Sequence, residues 1–203
     1  MLKKIAIIGP ESTGKSTLCE ELARHYATLW CPEFAREYLL SYGKNYTYDD
    51  LLKIAMGQVG LEDEYIERVI KSESPEVRKT IPGNKKNTSG LPVFRSSLHP
   101  SLFIDTDMYV MKVWCEFVYG KCHRFILDQI VKRQYDLYLL CKTDLPWVKD
   151  ELREYPDLET REKLYHFYKD IMINQAVPWV EISGSYPERF QKAITAVDTV
   201  MNS

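Results

Sequence analysis

Gly9-Pro10-Glu11-Ser12-Thr13-Gly14-Lys15-Ser16 follows directly on the isoleucine-rich run Lys4–Ile8, and its reading decides the fold. The spacing G-x-x-x-x-G-K-[ST] has a physical cause. A strand must turn sharply into a helix while its amides converge on an anion, and glycine permits this because it tolerates positive φ. The start of the helix adds unpaired N–H groups and the positive end of its dipole. Lys15 supplies a point charge for phosphate oxygens, and the Ser16 hydroxyl supplies a hard oxygen for Mg²⁺. Gly9, Pro10, Glu11, Ser12, Thr13, Gly14, Lys15, Ser16 and Thr17 are therefore expected to wrap the phosphates of ATP. The flanks agree. Lys4–Ile8 reads as a buried strand, and Leu18, Leu22 and Tyr26 recur every fourth residue in a helix from Ser16 to about Ala27.

Outward from this loop, apolar runs and helical patterns alternate. Thr28–Cys31 is a short strand stopped by Pro32. Thr47-Tyr-Asp-Asp50 is a capping-box signature ahead of Leu51, Ile54, Ala55, Val59, Ile66, Val69 and Ile70 at helical spacing, with Gly57 and Gly60 weakening the middle. Residues 72–97 are polar, basic and dense in Ser, Pro, Gly and Asn, and read as a surface insertion. Leu102-Phe-Ile-Asp-Thr-Asp107 is a strand ending in acid. Val110, Val113, Trp114 and Phe117 mark the helix after it, and Phe125, Ile126 and Ile130 another. Asp136–Cys141 and Val177–Ile182 complete the strands, and a last helix starts near Pro187. Such alternation implies parallel strands covered on both faces. The expected architecture is α/β: a three-layer P-loop NTPase fold with a parallel sheet of about five strands, nucleoside-kinase-like, in one domain over 1–203.

Composition narrows the function classes. With 45% hydrophobic residues among 203, the chain can bury a core without disulfide or metal staples. A formal charge of −2 gives no whole-chain case for nucleic acid or an anionic membrane. No apolar run approaches the roughly 20 residues of a membrane span, and the N-terminus does not read as a signal peptide. Cys19, Cys31, Cys115, Cys122 and Cys141 are odd in number and share no CxxC spacing, so they read as core thiols of a cytoplasmic protein. The oligomeric state is not legible.

Several acids and arginines sit where a phosphoryl-transfer site needs them. Asp105 ends an apolar strand, the place of a carboxylate that holds Mg²⁺, while Thr106 or Asp107 serves to cap the next helix. Glu33 follows the second strand and is a candidate base or sugar-hydroxyl ligand, with Arg36 gripping an anion or steadying it. Arg153 and Arg161 flank Pro156 in a polar segment, and an arginine's planar fork suits phosphate oxygens. Trp147 belongs either to the core or under a base, and Gly184 lets backbone approach a flat ligand such as adenine. His25, His99, His123 and His166 have no triad or metal spacing.

GPESTGKSTL, PEFAREY, Gly57-Gln58, LFIDTD with Lys112–Trp114, DLPWVKDELR and SGSYPER occur in an order that resembles the ribosylnicotinamide kinase domain of NadR-like proteins. The resemblance implies ATP- and Mg²⁺-dependent phosphorylation of nicotinamide riboside at its 5′-hydroxyl. It implies a loop and Lys15 that bind ATP, Ser16 and Asp105 serving magnesium, and Arg153 and Arg161 in a lid. Glu33, Arg36 and Asp107 would line the riboside side, with Glu33 or Asp107 as the base. No HxGH motif occurs, since no two histidines are two apart, and no helix-turn-helix pattern precedes the loop. The expectation is the kinase module alone, making no NAD and binding no operator DNA. A kinase for another nucleoside or small acceptor, or a nucleotide-sensing ATPase, are the alternatives.

Overall fold

A computed structural model describes residues 1–72 and 99–202. The segment read as an insertion, 72–97, lies outside the described residues except for Ser72. The elements are β1 (Lys3–Ile8), α1 (Lys15–His25), β2 (Leu29–Cys31), α2 (Phe34–Tyr42), α3 (Tyr48–Ser72) and β3 (Ser101–Asp105). They continue as α4 (Met108–Tyr119), α5 (Arg124–Lys132), β4 (Leu137–Cys141), α6 (Leu158–Asn174), β5 (Trp179–Ile182) and α7 (Tyr186–Met201). All strand pairs are parallel, in the order β2-β3-β1-β4-β5.

The pleat of β1 divides the core. Ile5 and Ile7 pack with α1 and α7 on one face, and Ala6 and Ile8 pack with α3, α4 and α6 on the other. Both faces are covered, which is why the strands read as continuous apolar runs. Strand order reverses at β1, the switch point where ligands of open α/β sheets bind beyond the carboxyl ends. Register then does the positioning. Ile7 pairs with Asp105, so the acid ending β3 stands beside the turn that leaves β1. Gly9 starts that turn against β4, and a Cβ there would lie 2.6 Å from the Cys141 carbonyl oxygen.

Two corners shape the site. Thr106 takes a left-handed φ of 75°, rare for a β-branched residue, and this bend separates the roles of its neighbours. Asp107 caps α4 by accepting from the Val110 amide at 3.1 Å, so Asp105 is free to face the loop. The Thr47–Asp50 capping box forms as expected, with Asp50 accepting from the Thr47 amide at 2.8 Å.

Two elements differ from the sequence reading. Helix α6 was not expected. The polar reading of the segment after β4 stops short of a helix that Asp157 caps, accepting from Thr160 at 2.7 Å, and that buries Leu164, Tyr165, Tyr168 and Met172. Helix α3 is unbroken through Gly57 and Gly60. Gly57 is where the Phe34 ring rests: a Cβ would sit 2.1 Å from its Cε1. Further along α3, buried Glu62 meets Lys4 at 3.3 Å, Arg133 at 3.1 Å and the Tyr135 hydroxyl at 2.9 Å, which matches its charge and ties α3 to β1.

The two glycines give opposite outcomes. Gly57→Ala must displace the Phe34 ring and should destabilise by about 1–3 kcal/mol. Gly60 is exposed with nothing within 4 Å, so Gly60→Ala should stabilise by about 0.5–1 kcal/mol. Urea denaturation of both variants checks the pair.

Candidate active site

A cavity of about 350 Å³ opens at the carboxyl end of the sheet, within the range of small-ligand sites. Its floor is the expected loop, Gly9 through Thr17 in full. The other walls come from Glu33, Arg36 and Leu39 of the β2–α2 region, Asp105, Trp114 and Phe117 of α4, and residues 150 and 152–155. One space thus holds the phosphate loop, the strand-end acid and the acid after β2.

The Ser16 hydroxyl donates to Asp105 Oδ2 at 2.5 Å. Asp105 Oδ1 is buried and has no hydrogen-bond partner among the described residues. Burial, then the charge of Glu33, push the Asp105 carboxyl above its usual range, while the Lys15 ammonium pulls it down. A cation would relieve both the orphaned oxygen and the repulsion. No group of three His, Cys, Asp or Glu side chains able to hold a metal occurs among the described residues. The Ser16 hydroxyl and the Asp105 carboxylate are hard oxygens and fit Mg²⁺, which takes one or two protein oxygens and completes its shell with phosphate and water. The Lys15 ammonium rests on the Pro10 carbonyl at 2.9 Å, and Thr13 Oγ1 donates to the same oxygen at 2.8 Å.

On the opposite wall the Thr106 hydroxyl reaches Glu33 Oε1 at 3.4 Å. Arg36 feels the charge of Glu33, yet its hydrogen bonds go elsewhere. It makes a two-pronged pair with Asp150, at 3.3 and 3.0 Å, closing α2 against the segment after β4. That segment is also fastened to the loop. Glu11 accepts from the amides of Glu154 and Tyr155 at 2.9 and 2.5 Å, and Ser12 Oγ accepts from the Val148 amide at 3.0 Å. Tyr46 bridges it to α4: its hydroxyl accepts from Trp114 Nε1 at 2.8 Å and donates to Glu154 at 2.9 Å.

The cavity gathers Glu33, Arg36, Asp105, Arg153 and the loop, and leaves out Asp107, Trp147, Arg161 and Gly184. Asp107 is buried, spent on the α4 cap and on accepting from the Tyr138 hydroxyl at 3.1 Å. Burial pushes its carboxyl up to about 7. Trp147 is half-buried, with its indole N–H lacking a hydrogen-bond partner among the described residues. Arg161 lies buried behind the loop and donates to the carbonyls of Ser12 at 3.2 Å and Leu145 at 3.4 Å. Of the two arginines placed in a lid, only Arg153 lines the cavity; it donates to the Val148 carbonyl. Gly184 donates its amide to Asp144 at 2.6 Å. Sequence reasoning used Trp114 and Phe117 to mark the helix; they line the cavity while also packing against the core. Their i, i+3 spacing was visible; which neighbour it served was not.

The model of the AAA domain family matches residues 4–77 and 95–189. The trifunctional NAD biosynthesis/regulator proteins NadR of Salmonella typhimurium strain LT2 and Escherichia coli K12 are each 26% identical over 98% of this chain. The chain spans 43% of the length of each. Crystal structures of NadR protein, one in complex with NR and one with NAD and AMP-PNP, share its fold at TM-scores of 0.68 and 0.65 and 20% identity. They cover 99% of this chain and 51% and 50% of their own. Thymidylate kinase from Ehrlichia chaffeensis shares the fold at a TM-score of 0.57 and 14% identity, over 97% of this chain and 98% of its own.

The Glu11 latch has a measurable signature. Glu11→Ala removes a carboxylate from two amides, and hydrogen exchange at Glu154 and Tyr155 should speed up by roughly tenfold or more. Exchange in the strands should stay unchanged.

Proposed function

The chain belongs to the AAA domain family, and from that premise we propose that it is a kinase that uses ATP and Mg²⁺ to phosphorylate nicotinamide riboside at its 5′-hydroxyl. The observation that carries this reading is the meeting of Ser16 with half-satisfied Asp105 in a cavity that also holds Glu33. A seat for a metal-bound triphosphate and a base for an incoming hydroxyl share one space. Similarity to NadR over nearly the whole chain supports a nucleotide-binding kinase of NAD metabolism.

In this reading the loop amides and Lys15 hold the phosphates, with the Lys15 ammonium exchanging the Pro10 carbonyl for phosphate oxygens. Ser16 and Asp105 would hold Mg²⁺, which would neutralise phosphate charge. Glu33, steadied by the Thr106 hydroxyl, accepts the proton of the acceptor hydroxyl. Arg153 adds positive charge at the same cavity, where electrostatic stabilisation and positioning supply most of the catalysis. The lining supports this choice of acceptor. Trp114, Phe117 and Tyr155 offer aromatic faces, and Glu33 and Glu154 offer negative charge. A cationic pyridinium ring suits both, through ring quadrupoles and Coulomb attraction.

The test is ADP release against a nucleoside panel. Nicotinamide riboside should stimulate release far above uridine, cytidine and thymidine; release that ignores the acceptor would make the chain an ATPase instead.

The base is separable by mutation. Glu33→Gln should lower kcat by roughly 10²–10⁴. Asp107→Asn should keep kcat within about tenfold, because asparagine caps a helix as well as aspartate. Steady-state kinetics of the two variants decides the assignment.

A further inference from the structure

Arg189, on α7, ends the stretch Ser183–Arg189, yet no step above uses it. It is almost wholly buried, with 4% of its side chain exposed. Its guanidinium donates from Nε to the Gly184 carbonyl at 2.9 Å, from Nη1 to the Thr13 carbonyl at 3.0 Å, and from Nη2 to the Lys142 carbonyl at 2.9 Å. Nη2 also meets the Asp144 carboxylate, which in turn accepts from the Gly184 amide. One planar fork therefore spans the turns leaving β1, β4 and β5.

We propose that Arg189 is a positioning residue that holds the phosphate loop in its anion-binding conformation from behind. This rests on the reading of the cavity as a nucleotide site. In a trans peptide the C=O and the following N–H point in opposite directions. A guanidinium gripping the Thr13 carbonyl from outside the cavity turns the Gly14 N–H toward the cavity. Arg161 repeats the device one residue earlier, on the Ser12 carbonyl. Released from Arg189, the Thr13–Gly14 peptide is free to rotate, and a loop so loosened loses a converging donor. A lysine cannot reproduce the grip, because three carbonyls and a carboxylate in one plane need a fork.

The experiment is calorimetric binding of tripolyphosphate and of ATP, without divalent cation, to the wild-type chain, Arg189→Met and Arg189→Lys. Each protein is held below its own melting temperature. Arg189→Met should bind both ligands roughly ten- to a hundredfold more weakly, the worth of a donor to a charged group. The losses should be equal, since tripolyphosphate touches the loop but has no base, and Arg189→Lys should recover only part. A folded Arg189→Met with wild-type tripolyphosphate affinity overturns the proposal, even where its melting temperature has fallen. So does a loss confined to ATP, which would place Arg189 on the base side alone. Should the methionine variant not fold, Arg189→Lys decides by the same comparison, and failure of both to fold makes the residue purely structural. A wild-type chain that binds neither ligand removes the nucleotide-site reading itself, a result distinct from equal binding by wild type and variant.

Discussion

A loop that turns its amides inward on an anion must turn its carbonyls outward into the protein. Each of those oxygens then needs a donor of its own. Here the Pro10 oxygen takes the Thr13 hydroxyl and the Lys15 ammonium, the Ser12 oxygen takes Arg161, and the Thr13 oxygen takes Arg189. Much of the architecture around the sheet's carboxyl end serves that requirement. Helices α6 and α7 each deliver one arginine to the back of the loop, and the packing of both helices on the sheet fixes where those arginines stand.

The same end of the sheet concentrates negative charge. Asp105, Asp107 and Glu33 lie close together, and the fold answers each differently. Asp107 is buried with a hydroxyl and a helix amide. Glu33 takes the Thr106 hydroxyl and opens on the cavity. Asp105 is left half-satisfied, with Ser16 on one oxygen only. Leaving a carboxylate oxygen without a partner in a buried place is unfavourable unless something arrives to use it. That imbalance sets Asp105 apart from the other two acids.

The legible part of the sequence was local. Four constrained loop positions, the isoleucines of β1, the acid ending LFID and the Thr47 capping box all report on residues near them in the chain. The cap on α4 was legible for the same reason: Thr106 or Asp107 was expected to serve, and Asp107 does. What escaped was tertiary. Arg189 and Glu62 look like the solvated faces of amphipathic helices, and only packing brings their partners from more than a hundred or about sixty residues away, as with Thr13 and Lys4. Arg36 was read as gripping an anion or steadying Glu33, whereas its hydrogen-bond partner Asp150 is 114 residues distant. Helix α6 escaped because its buried stripe mixes Arg161 and two tyrosines with only Leu164 and Met172, which reads as polar beside so many charges.

Thr106 also bears on how this chain tolerates change. A threonine at φ 75° sits in a conformation that disfavours β-branched side chains, at a cost of about 1–3 kcal/mol. Glycine would adopt the corner freely, so any selection for thermal robustness alone would favour it there. Such a replacement would discard the hydroxyl that reaches Glu33 and loosen the hinge between the two acids. With Glu33 as the base proposed above, robustness and competence pull in opposite directions at this one residue, and a library screened only for soluble yield would drift away from that hydroxyl.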